Sequence, residues 1–143
     1  MLHWIARWLP AIVWMAVIFF LSHQSSGELA PLLPFLQKGF PWLESLDFGH
    51  TIAYFLLACF VYWGMGARFF HFWGKCLAIA FCAVYGMTDE YHQMFVEGRQ
   101  PDITDLRNDV IGAGLAMLLA SLPPVHRKLS HWWNQVFSPS KKY

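Results

Sequence analysis

The sequence predicts an all-α membrane protein: a bundle of four transmembrane helices with the N- and C-termini both cytoplasmic. Three observations carry that prediction. Hydrophobic residues make up 57% of the 143-residue chain and charged residues only 13%, against about 25% charged in an ordinary soluble domain. The apolar residues gather into runs bounded by Pro, Gly or charged groups. Lys and Arg then divide unequally between the two sets of run ends, and that bias sets orientation in a membrane. A chain of this length suffices for one domain. Residues 1–124 are expected to form it, with 125–143 as a basic cytoplasmic tail.

The first span is expected from about Trp8 to Leu21. Pro10 lies near its start, where a missing N–H does little harm, and Trp4 and Trp8 suit an interfacial belt. Arg7 ahead of an apolar run is also how a signal peptide begins. No small-x-small cleavage site follows in Ser22-His23-Gln24-Ser25-Ser26, so the run reads as an uncleaved span. Residues 22–47 form a loop. Its apolar part, Leu29 to Trp42, is broken by Pro31, Pro34 and Pro41 and is expected to lie along the interface. The second span runs from about Phe48 to Met65, with Asp47 as N-cap and Gly64 and Gly66 closing it. After a linker, Ala67 to Gly74, the third span runs from about Lys75 to Thr88 and merges into a polar stretch. Gly98 and Pro101 turn that stretch. The fourth span starts between Asp102 and Asp105 and ends at Leu122, where Pro123-Pro124 stops it. In the tail, Trp132 and Trp133 are expected at the surface.

Orientation follows from the basic residues near span ends. Arg7, Arg68, Lys75, Arg127, Lys128, Lys141 and Lys142 fall on one side. Lys38, Arg99 and Arg107 fall on the other, with nearly all the acidic groups. Both termini are therefore placed in the cytoplasm and the acidic rim opposite. No Lys/Arg-rich run points to nucleic acid. Cys59, Cys76 and Cys82 fit neither a metal-site spacing nor a disulfide framework and read as small buried hydrophobes.

Charge is concentrated in residues 85–109, YGMTDEYHQMFVEGRQPDITDLRND. Ionisable groups at the edge of hydrocarbon are expensive and usually have a partner or a task. Each outward helix end adds polar residues: Ser22-His23-Gln24 after span one, Asp47 and His50 at span two, Asp89 to Gln93 after span three, and Asp105, Asn108 and Asp109 opening span four. Asp89, His92 and Gln93 share a face if span three continues through them, and Glu90 points a quarter-turn away. Asp105, Asn108, Asp109 and Gly112 share a stripe that continues as Ala116 and Ala120. Small residues let helices approach closely in lipid, so this stripe should pack inward. His50 and Tyr54 stand one turn apart. Arg99, with its planar fork of donors, is the expected partner of two or more carboxylates.

At these residues the chain resembles the VanZ-like membrane protein family. The likeness lies in Leu21-Ser22-His23-Gln24, in Phe48-Gly49-His50 with Tyr54, and in Tyr85-Gly86. It continues through Asp89-Glu90-Tyr91-His92-Gln93-Met94-Phe95-Val96-Glu97-Gly98-Arg99, and through Asp105, Asn108 and Gly112. It covers about residues 12 to 120. The chain departs from the family pattern at His23, at Phe48 where a Lys is usual, and at Glu97 where Pro precedes Gly-Arg. The resemblance implies four spans with a polar face outward. Some members lower susceptibility to glycopeptides such as teicoplanin.

Two functional readings stand open, beside a structural one in which Arg99 and the carboxylates only lock a loop. In the first, a membrane enzyme works at the outer surface of the bacterial inner membrane on a lipid-linked or anionic cell-envelope substrate. His50, Asp89, Glu90, His92 and Arg99 would carry its chemistry as base, orienting carboxylates and anion clamp. Ser22, Gln24, Tyr54, Gln93, Asp105 and Asn108 would line the binding site. In the second, the same groups bind a lipid headgroup or a partner without chemistry. No H-E-x-x-H or comparable spacing is present, so no metal ligands are assigned. A metal-dependent variant through His50, Asp89, Glu90 and His92 is the less favoured form. Glu97, Asp102, Arg107 and Lys38 read as solvated surface, and His3, His71, His126 and His131 as interfacial. Four spans without an inverted repeat leave little room for a transporter, and no cofactor is identified.

Overall fold

The computed structural model describes residues 2–25, 27, 31–39 and 47–137, and all the regular secondary structure among them is helical. Four long helices make the body: α1 (Leu2–Ser22), α3 (Asp47–Met65), α4 (Phe72–Gln93) and α5 (Ile103–Ser121). A short α2 (Leu32–Gln37) precedes α3, a 3-10 turn spans Ala67–Phe69, and α6 (Pro123–Phe137) ends the described chain. The expected interfacial stretch from Leu29 to Trp42 lies partly outside the described residues.

Helix α3 is the hub, packed against α1, α4 and above all α5. Its inward face carries Tyr54, Leu57, Ala58, Val61 and Tyr62, all essentially inaccessible. What meets them is small: Ala78 and Cys82 from α4, and Ala113, Ala116 and Ala120 from α5. Gly112 lets α5 come so close that a Cβ there would run into the carbonyl oxygen of Thr51 on α3. The stripe Asp109, Gly112, Ala116, Ala120 thus packs inward. Large apolar side chains such as Ile12, Phe20, Val84 and Leu118 point outward and are exposed. A small-residue interior under an apolar exterior is how helices associate where lipid, not water, is outside.

Two helices, over Ile5–Ser22 and Phe48–Met65, are long and apolar enough to cross a membrane. The third possibility is α5 taken with α6 as one span bent by 86°. Helix α4 is not among them, and Lys75, Asp89 and Glu90 lie within it. The helix also continues to Gln93 without a break, so the acidic pair rides on the end of a regular helix.

Three details differ from the sequence-based expectations. Helix α1 starts at Leu2, which places Pro10 inside the helix; neighbouring helices tolerate such a site in a membrane. The bundle holds α1 through side chains bonded to backbone. Trp14 Nε1–H donates to the Ala53 carbonyl at 2.8 Å, and the Tyr85 hydroxyl to the Met15 carbonyl at 2.7 Å. The tail residues 123–137 form a helix, turned sharply at Leu122, and only Trp132 of the two tryptophans faces outward. Trp133 packs on the core and donates Nε1–H to the Trp63 carbonyl at 3.1 Å.

Candidate functional site

Four helix ends meet at one rim of the bundle: the last turn of α1, the first of α3, the last of α4 and the first two of α5. The centre is His50. Its Nδ1 lies 3.0 Å from Asp109 Oδ1, and its Nε2 lies 3.7 Å from Asp105 Oδ2. Asp105 and Asp109 are one turn apart on α5, so one imidazole lies against both carboxylates. Asp109 is fully buried, whereas His50 and Asp105 keep about a fifth of their side chains accessible.

Why Asp109 can sit there is written in α4. Gly86 faces it, and a Cβ at that position would come within 2.6 Å of Asp109 Oδ2. The missing side chain makes the notch that receives the carboxylate. Below it Tyr54, one turn along α3, stacks nearly parallel to the His50 ring and is fully buried.

Asp89 and Glu90 close the centre from α4. Single ligand atoms of His50, Asp89 and Glu90 all lie within 4.8 Å of one another. Glu90 Oε2 accepts the backbone N–H of Asp102 at 2.8 Å, which ties the end of α4 to the start of α5. Asp102 is itself the N-cap of α5, accepting from Thr104 N–H at 2.7 Å. That bond, with the Thr104 hydroxyl, holds the exposed Asp102 carboxyl below its ordinary range. The cap is therefore intact above the ordinary carboxylate range and weakens as acid protonates it. Ser22 and Gln93 flank Asp89.

The other expected site residues sit further out. His92 turns toward α1, stacked on His23 and tilted against Phe19, with its Nε2 3.4 Å from His23 Nδ1. Arg99 does not clamp the acids. Its Nε donates to the Gln24 carbonyl at 3.3 Å, and among the described residues no carboxylate lies within ion-pair reach of it. The Gln24 amide caps its own helix at the Phe20 carbonyl. Asn108 is half-buried and makes no hydrogen bond to the cluster among the described residues. The side chain of Asp47 lies outside the described residues.

The central residue that was not among the expected site residues is Asp109. The signal was its place on the inward stripe one turn after Asp105; the deciding element, Gly86, comes from another helix. His23 is the second omission, visible only once α1 and α4 are side by side.

What remains is an accumulation of unsatisfied polarity. Ser22 and Gln93 turn to Asp89, whereas Tyr54 OH, Glu90 Oε1, His92 Nδ1 and Asp109 Oδ2 are buried without a hydrogen-bond partner. Buried polar atoms are normally paired, and each orphan costs about 1–3 kcal/mol. Four such atoms lie at this one rim. The VanZ/LLP1 family model matches residues 7–123, which takes in all four helix ends. Comparisons with curated proteins and with solved structures returned no match.

Proposed function

We propose a function from the premise that this match establishes: the chain belongs to the VanZ/LLP1 family. It is a four-span protein of the bacterial inner membrane with cytoplasmic termini. Its polar rim faces outward and takes the headgroup of a lipid-linked, anionic cell-envelope molecule, with a glycopeptide-resistance phenotype of the kind seen for teicoplanin. The observation that carries this reading is the set of orphaned polar atoms that α3, α4 and α5 bring to this rim. A headgroup supplies the donors and acceptors they lack, and His50, oriented by Asp109, is placed as a proton acceptor toward it. Arg99, bonded to the Gln24 carbonyl, is the cation proposed to meet a phosphate or carboxylate.

A second reading, accessory binding without turnover, is favoured by how Glu90 and Arg99 are used. Each spends a hydrogen bond on backbone of a neighbouring segment. Purified protein incubated with labelled envelope lipids separates the two: released product means catalysis, and stoichiometric retention alone means binding. In a teicoplanin-susceptibility assay, Asp89→Asn, Glu90→Gln and Arg99→Ala should each reduce the protein's effect at least tenfold while the chain still inserts. Full effect in all three variants removes the site assignment.

The orientation has its own test. An impermeant thiol reagent applied to intact cells should label Glu97→Cys and leave Lys128→Cys unmodified. Labelling at 128 with protection at 97 would invert the topology.

A further inference from the structure

The rim carries too much negative charge for the ligand just proposed. Asp89, Glu90, Asp105 and Asp109 surround one imidazole, and Arg99 donates Nε–H to the Gln24 carbonyl. Two like charges 4 Å apart repel by about 4 kcal/mol at an effective dielectric constant near 20. An anionic headgroup entering this cluster needs a bridge of opposite sign. We propose that His50, Asp89 and Glu90 hold a divalent cation, of the manganese or zinc type, that makes the rim receptive to an anion.

The geometry is that of a ligand set. His50 Nδ1 is taken up by Asp109, which leaves Nε2 as the donor atom, on the side where Asp105 Oδ2 lies at 3.7 Å. Ligand atoms of His50, Asp89 and Glu90 fall within 4.8 Å of one another, the spread expected around one ion with bonds of about 2.0–2.4 Å. Asp89 and Glu90 are more than nine-tenths buried, and Glu90 keeps one oxygen, Oε1, without a partner.

The supporting contacts are of the kind metal sites use. A carboxylate that accepts from the far nitrogen of a ligating histidine fixes its tautomer and raises its basicity; Asp109 does this for His50. Glu90 is anchored through Oε2 by the Asp102 N–H, so that Oε1 is the free one. Carboxylates alone would suit magnesium or calcium, and the imidazole shifts the preference toward manganese or zinc. His92, turned toward His23, is not among the ligands.

The test uses the purified full chain in detergent, stripped with chelator and titrated with Mn2+, bound ion being read as loss of the free-ion electron paramagnetic resonance signal. One Mn2+ per chain is expected, displaced by Zn2+. Asp109→Asn should weaken binding about 10- to 100-fold, and Asp89→Asn and Glu90→Gln by more. Glu97→Gln, exposed on the following turn, should bind as the parent chain does. Absence of binding by either metal, or binding that Asp89→Asn leaves unchanged, overturns the proposal. The proposal rests on the outward-site reading, and the two fail differently. Loss of phenotype in Asp89→Asn without metal binding removes only the cation. Metal binding with an unaltered phenotype in that variant removes the functional reading and keeps the cation.

Discussion

Asp109→Ala is expected to lower the unfolding free energy in detergent by about 3 kcal/mol, the largest loss from any side chain of the polar centre. Removing one partner of a buried pair costs about 3–5 kcal/mol, because the other partner is left uncompensated. Asp109 is fully buried and 3.0 Å from His50. The lower end of the range applies, since Asp105 stays beside the ring and the like charges of Asp89 and Asp105 lose a neighbour. Asp105→Ala should cost less than about 1 kcal/mol, as its pair is longer and partly solvated. Denaturant titration of both variants in the presence of chelator checks the ranking. An Asp105→Ala loss equal to that of Asp109→Ala would reverse it.

Gly112→Ala is expected to destabilise by a comparable amount, about 3 kcal/mol. Overpacking usually costs about 1–3 kcal/mol, and the low figures belong to sites where a flexible side chain can move away. Here the obstacle is the Thr51 carbonyl, part of the facing helix itself, so α3 and α5 must separate. Their contact is the most extensive in the bundle. Gly114, two residues on, has nothing within 4 Å of a Cβ. Gly114→Ala should therefore be neutral or stabilising by up to about 1 kcal/mol, because alanine is the better helix former. The two glycines of one helix answer oppositely if the interface is drawn correctly. Equal small effects from both would mean that α5 does not press on α3 there.

Much of this was legible in the chain. The inward stripe of α5 follows from helical spacing and the need for small residues between lipid-embedded helices. The convergence of Ser22, His50, Asp89, Glu90 and Asp105 follows from placing every outward helix end on one side. Individual partners were not legible. Which of two carboxylates one turn apart takes the imidazole depends on a notch at Gly86, a residue with no side chain to announce it. The partner of Arg99 depends on the path of the turn after Gly98, which has positive φ (74°), and spacing along the chain says nothing about that path. Pro10 looked like a helix start because its missing N–H is harmless there. It lies inside α1, a helix that α3 and α4 hold one turn further on, at Trp14 and Met15. The two tryptophans of the tail are equivalent by composition, and only the turn at Leu122 sends Trp133 to the Trp63 carbonyl.

Everything at the rim depends on the imidazole that opens α3 meeting the buried carboxylate of α5. A double-mutant cycle of His50→Ala and Asp109→Ala, read by unfolding free energy, measures that contact without reference to any ligand. A coupling energy of about 2 kcal/mol is predicted, within the range for directly interacting groups. Losses that simply add, within about 0.5 kcal/mol, would show that the two residues do not meet.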